Sequence, residues 1–179
     1  ARRVKVGDPR DPEVLVGPMI DEANAKRVES WIDEARRLGA EVLLGGKRQG
    51  SLMPPTVLTQ VPRAAHLDRD EAFGPTVNLE RVADFDEAVA RVNDSPFGLQ
   101  CGVFTRDLVH AWSAFERITV GAVIVNDAPS YRIDHMPYGG VKDSGFGREG
   151  IRWAIEDMTE LRLLVVAMPP AADFTSSSE

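Results

Sequence analysis

Glu71, Phe73, Cys101, Tyr131, Arg132, His135, Tyr138 and the glycine-rich stretch 137–149 are the places where this chain carries residue types suited to chemistry. Cys101 is its only thiol. A nucleophilic cysteine needs partial exposure and a base, a cation or a helix N-terminus to lower its pKa. Cys101 sits instead inside the apolar run Leu-Gln-Cys-Gly-Val-Phe, where a free cysteine behaves as a small hydrophobe. Glu71 closes an acidic loop behind Asp68, Arg69 and Asp70, and Phe73 reads from residue types alone as core. The same pair has a binding reading, because a carboxylate accepts two hydroxyls at once and an aromatic edge steadies a flat ring. Arg132 and His135 stand among the aromatics Tyr131 and Tyr138. A cation at a pocket mouth favours an anionic or strongly polar ligand; the alternative is that Arg132 pairs with Asp134 or Asp127. No second histidine or carboxylate pattern gives His135 a metal to share.

Residues 137–149 read Pro-Tyr-Gly-Gly-Val-Lys-Asp-Ser-Gly-Phe-Gly-Arg-Glu. Four glycines in so short a span require backbone that turns tightly or approaches something closely. Lys142 with Asp143, and Arg148 with Glu149, read as ion pairs locking the loop. Gly145 to Gly150 also matches G-x-G-x-x-G. That fingerprint needs a strand directly before it and an acidic residue about 20 positions on. Neither is present, so an irregular loop feeding a helix is the better reading.

The stretch 137–149 resembles the anchor loop of the aldehyde dehydrogenase superfamily, aromatic-Gly-Gly-x-Lys-x-Ser-Gly-x-Gly-Arg-Glu, with every fixed position filled. Glu71-Ala-Phe-Gly-Pro75 resembles the family's Glu-x-Phe-Gly-Pro motif. The likeness runs in order from Gly7-Asp-Pro9, through Gly17-Pro-Met-Ile20, to Val166. It implies that Glu71 hydrogen-bonds the nicotinamide ribose of NAD or NADP and that Phe73 packs by the nicotinamide ring. It makes residues 126–138 the variable loop lining the mouth of the aldehyde tunnel, with Tyr131, Arg132, His135 and Tyr138 as substrate-pocket residues. His-Met-Pro-Tyr-Gly-Gly-Val-Lys-Asp-Ser-Gly is most similar to the lactaldehyde, phosphonoacetaldehyde and non-phosphorylating glyceraldehyde-3-phosphate branch. In such enzymes a cysteine thiolate attacks the aldehyde, hydride passes to NAD(P)+, and a water activated by a glutamate releases the acid. The family's nucleophile motif is nowhere in the chain, so no catalytic residue is assigned and the chain alone is expected to be inactive.

The elements that must position these residues follow from periodicity. A helix is predicted over 21–38, capped by Asp21 and ended by Gly39, with Val28, Trp31, Ile32, Ala35 and Leu38 on one face. Strands are predicted at 41–44, 57–58, 76–82, 99–104 and 122–125, with 62–73 as an acidic loop. Asp84 and Glu87 form a capping box before a helix with the stripe Phe85, Ala88, Val89 and Val92. Thr105 is expected to cap a helix burying Leu108, Trp112, Phe115 and Ile118. Alternating strands and helices from 76 to 125 predict βαβ crossovers in a parallel layer, with 122–125 in its buried middle. A loop over 126–147, a helix over about 149–158 and a terminal strand, Leu161–Val166, complete the pattern.

The fold class is therefore α/β, the C-terminal portion of the family's catalytic domain (1–158), an oligomerisation strand (159–167) and a small polar tail (168–179) expected to be disordered. An apolar edge strand such as Leu161–Val166 invites pairing with another copy, so a homo-oligomer, dimer or tetramer, is expected. At 179 residues, 43% apolar and 27% charged, the composition is that of a globular domain. A net charge of −7 without basic runs excludes nucleic acid as a partner. No stretch approaches the roughly 20 apolar residues that span a bilayer. One cysteine fits a reducing compartment, the cytoplasm. The chain opens at Ala1 without an initiator methionine and reads as cut within a domain. The rival expectation is a non-enzymatic remnant acting as a binding or assembly module. An acyl-phosphate reductase relative is a weaker one, disfavoured by the complete anchor loop.

Overall fold

Asp21 starts the first helix by accepting the Asn24 N–H at 2.7 Å, and the next residues place Ala25, Val28, Ile32 and Ala35 on one buried face. The computed structural model describes residues 1–167, in the order α1 (Glu22–Arg37), β1 (Glu41–Leu44), β2 (Thr56–Thr59), α2 (His66–Arg69), β3 (Thr76–Leu79) and α3 (Phe85–Asn93). There follow β4 (Phe97–Gly98), β5 (Gln100–Val103), α4 (Leu108–Arg117), β6 (Ala122–Val125), β7 (Val141–Lys142) and α5 (Ile151–Asp157). The described chain forms two compact units: Ala1–Pro96 with Asp107–Ile118, and Phe97–Arg106 with residues 119–167. The expected tail at 168–179 lies outside the described residues.

In the first unit, β1, β2 and β3 make one sheet, with β1 antiparallel and β3 parallel to the central β2. The α1 stripe meets one face of it. Val28, Ile32, Ala35, Met53, Leu58, Ala65 and Leu67 form the core, with Met19, Trp31, Val42 and Ala72 packed around them. Buried Thr56 is satisfied: its hydroxyl accepts the Gly46 N–H and donates to the Pro54 carbonyl. Leu38, expected on the buried stripe, is exposed, because the helix ends one residue before it.

The stretch 62–73 is not all loop. His66–Arg69 makes one helical turn there because Glu34 of α1 accepts both the backbone N–H of His66 (3.2 Å) and its Nδ1 (2.6 Å). Asp84 caps α3 through the Glu87 N–H, while the Glu87 carboxylate accepts the Ala83 N–H, one residue before its place in the standard box.

Two further expectations fail in α4. Its cap is Asp107, which accepts the Val109 and His110 N–H groups, while the Thr105 N–H is taken by the Asn126 side chain. Of its expected apolar stripe only Ile118 is buried. Leu108, Trp112 and Phe115 are 78%, 63% and 65% exposed, and Ala114 and Ile118 alone are buried. Helical spacing marks a face; it does not supply the surface that covers it.

In the second unit β5 pairs in parallel with β6, and β4 pairs antiparallel with β7. The predicted parallel layer thus exists only as two separate parallel pairs, β2–β3 and β5–β6, among the described residues. Neither strand of β5–β6 is fully buried, contrary to the expectation for 122–125. Burial on both faces requires a layer on each side, and even in the first unit Val77 and Leu79 stay half-exposed. Leu161–Val166 forms no strand. A strand exists through its ladder, nothing among the described residues pairs with this segment, and Leu161, Leu163, Leu164, Val165 and Val166 are exposed.

Candidate functional site

The first group of site residues lies on the segment between α2 and β3. Phe73 is 76% exposed and has φ +45°, a left-handed conformation that a bulky residue avoids at a cost of about 1–3 kcal/mol. Glu71 is exposed too, and no ion pair engages it among the described residues. The backbone beneath them is firmly held. The Arg27 Nη2 donates to the Ala72 carbonyl at 2.8 Å, Ala72 packs on the core, and the Asn78 side-chain amide donates to the Leu67 carbonyl. Phe73 is therefore not core, as residue types alone suggest. It is an apolar ring exposed to solvent, two residues from an exposed carboxylate.

The second group lies in the second unit. Tyr138 and Glu149 exchange backbone hydrogen bonds across an isolated antiparallel bridge. Arg132 sits over that bridge, its Cζ 4.4 Å from the Tyr138 ring centre and its Nη2 2.9 Å from the Glu149 carboxylate. The pair is thus Arg132–Glu149, not Arg132 with Asp134 or Asp127. The expected Arg148–Glu149 pair is replaced: Arg148 donates to the carbonyls of Gly140 and Gly147. Tyr131 is tied to β5 by its carbonyl, which accepts from the Gln100 side chain. His135 lies apart from the Arg132–Tyr138 stack, along an open hollow shared with Ile151, Arg152, Ile155 and Glu156. Three of these residues, Arg132, Tyr138 and Glu149, come together; Tyr131 and His135 do not join them.

The anchor loop owes its shape to close backbone packing. A Cβ on Gly121 would lie 1.7 Å from the Gly139 carbonyl oxygen, so only glycine fits beneath the loop. Ser144 accepts the Gly98 N–H on its hydroxyl at 3.0 Å, fastening the loop to β4. Gly147 turns at φ +78°, and Gly150, at φ +123°, leads into α5. The element before the seven-residue α5 is the two-residue strand β7, which ends at Lys142, and an irregular loop lies between them. Cys101 stands in β5, half-buried, and burial raises its thiol pKa, the opposite of activation. Arg27 and Glu149 are the functional candidates that sequence reasoning missed. Contacts across 45 and 17 residues leave no periodic trace.

The aldehyde dehydrogenase family profile matches residues 1–164. The chain belongs to that family. Over 164 residues this aldehyde dehydrogenase chain is 50% identical to the 3-sulfolactaldehyde dehydrogenase of Priestia aryabhattai, covering 92% of itself and 34% of that protein. It is 39% identical over 165 residues to the lactaldehyde dehydrogenase of Methanococcus maripaludis, with 92% and 35% covered. The branch expected from the His-Met-Pro-Tyr motif agrees with these relatives. Aldehyde dehydrogenase 21 of Physcomitrella patens, solved with its reaction product succinate, matches with a TM-score of 0.87 and 46% identity, over 89% of this chain and 33% of that one. The glyceraldehyde-3-phosphate dehydrogenase GapN of Methanocaldococcus jannaschii, complexed with NADP, matches with a TM-score of 0.83 and 38% identity, over 88% and 34%. The chain spans about a third of the length of the curated relatives it matches. Relatives in this family use NAD(P). Among the described residues no helix is long and apolar enough to cross a membrane.

Proposed function

We propose that this chain is the C-terminal part of the catalytic domain of an NAD(P)-dependent aldehyde dehydrogenase that oxidises a small anionic aldehyde to its acid. The observation that carries the reading is Phe73, exposed and left-handed beside Glu71 on a braced segment. Bound there, NAD or NADP would accept the hydride. Glu71 would hold the ribose hydroxyls, and Phe73 would keep the nicotinamide ring from turning. The nucleophilic cysteine of the whole enzyme lies outside this chain, since Cys101 is half-buried with its pKa raised. The isolated chain is therefore inactive.

Arg132 supports an anionic substrate. Its guanidinium is steadied by the Tyr138 ring on one side and Glu149 on another, and its remaining N–H donors are available to a sulfonate or carboxylate. The sulfolactaldehyde enzyme and the succinate complex among the relatives are in keeping with such a group. Tyr131 and His135 are assigned to the tunnel mouth by their place on the 126–138 loop, outside the Arg132–Tyr138 stack; Leu161–Val166 pairs with another copy, and the enzyme works in the cytoplasm.

The test is kinetic. Full-length enzyme is assayed for NAD(P)H formation with 3-sulfolactaldehyde, succinate semialdehyde and propionaldehyde. Arg132→Ala is expected to lower kcat/KM for the two anions by about tenfold or more, the worth of one charge-assisted contact, and to spare the neutral aldehyde. An equal loss on all three would remove Arg132 from substrate recognition. NAD(P)H formation by the isolated chain would contradict its assignment as a part without a nucleophile.

A further inference from the structure

A phenylalanine with a left-handed backbone and its ring in solvent is costly twice, in strain and in exposed apolar surface, and such a residue persists only where its surroundings over-determine it. The surroundings here are two adjacent residues of α1. Arg27 lies half-buried with its guanidinium 4.5 Å over the Trp31 ring, and from that stacked position Nη2 donates to the Ala72 carbonyl at 2.8 Å. Val28, fully buried, faces Gly74 so closely that a Cβ there would lie 3.0 Å from the Val28 Cγ2. The residues on both sides of Phe73 are thus pinned to the same helix turn.

We propose that Arg27 is a positioning residue for the cofactor contact of Phe73. This rests on the reading of Glu71 and Phe73 given above. The Ala72 carbonyl and the Phe73 nitrogen belong to one rigid peptide plane. A hydrogen bond to that oxygen therefore sets the orientation from which the Phe73 φ is measured. The donor is charged and planar, and stacking on Trp31 pre-organises it, so little freedom is lost in making the bond. Arg27 needs no contact with the cofactor to act.

The experiment uses the full-length enzyme and equilibrium binding of NADH and NADPH followed by nucleotide fluorescence. Arg27→Met keeps an unbranched apolar stem and removes every donor. It is expected to weaken nucleotide binding about tenfold, the worth of a hydrogen bond to a charged donor. The aldehyde KM is expected to hold. Phe73→Ala should weaken binding to a similar degree, and Arg27→Met added to Phe73→Ala should then change little, because the two act through one contact. Arg27→Lys should recover part of the loss, and it keeps the measurement open should the methionine variant not fold.

Unchanged nucleotide binding in Arg27→Met, or full additivity with Phe73→Ala, would overturn the positioning role while leaving the cofactor reading intact. Unchanged binding in Phe73→Ala would sink both.

Discussion

The segment 71–75 and the loop 137–149 are both irregular and both carry side chains suited to chemistry, yet they are held by opposite means. The anchor loop is shaped from within and just beneath: Gly121 under Gly139, Ser144 on the Gly98 N–H, Arg148 on two carbonyls of its own loop. The segment 71–75 is held from a distance, by Arg27 and Val28 on a helix some 45 residues earlier. Backbone packing in the anchor loop restricts which residues fit at all. Side-chain bracing in the other leaves residue identity freer and spends strain on one displayed ring. A loop of the first kind leaves a dense motif in the sequence; one of the second kind leaves two short signals far apart.

The sharpest way to break this contrast is Gly121→Ala. The added Cβ meets a carbonyl oxygen rather than a flexible side chain, so relief requires the loop to move. A loss of more than about 3 kcal/mol is expected, read as lost anchor-loop amide protection in hydrogen exchange, with the sheet of the first unit still protected. Protection retained in the loop would mean that its shape does not depend on that close approach.

Leu58→Ala tests the other side. Leu58 is fully buried in the core on which α1 rests, and its truncation is expected to cost about 2–5 kcal/mol. The melting temperature should fall, and protection should drop first in α1 and the 71–75 segment while the anchor loop is spared.

A smaller effect of opposite sign is expected from Phe73→Gly. Glycine adopts φ +45° without strain, so the fold should gain up to about 1 kcal/mol or stay level, while nucleotide binding weakens. Stability lost together with affinity would make Phe73 a packing residue after all.

The smallest effect concerns acid. The Glu34 carboxyl is held below its ordinary value of 4.5, first by the hydrogen bond to the His66 ring and then by the His66 N–H. A lowered folded pKa stabilises fully above the unfolded value and is lost as pH falls through the folded one. Thermal melts should therefore show stability declining below about pH 4.5, and Glu34→Gln should flatten that decline. An unaltered profile in the variant would assign the acid sensitivity elsewhere.

Much of this was legible beforehand for identifiable reasons. Asp21 and Asp84 announced α1 and α3 because capping is local chemistry, one carboxylate and one N–H three residues on. The anchor loop was legible because backbone contacts as tight as those at Gly139 and Gly140 tolerate only glycine. Glu71 and Phe73 were legible as a motif but not as geometry, since residue type suggested a buried ring. Arg132 was legible as a cation among aromatics, and its partner was misread. Glu149 reaches it only because the bridge at Tyr138 folds the loop back on itself.

The sequence by itself determined the α/β class, the positions of most helices and strands, and family membership through a dense loop motif, because caps, periodicity and glycine requirements act over a few residues. Only the tertiary structure decided that most of the α4 stripe lies exposed, that the strands fall into separate sheets, and that Leu161–Val166 pairs with nothing in the described chain. It alone showed Phe73 exposed, with Arg27 bonded to the neighbouring Ala72 carbonyl. Burial, pairing and strain depend on what lies opposite a residue in space, and a helical or alternating pattern states only that something should.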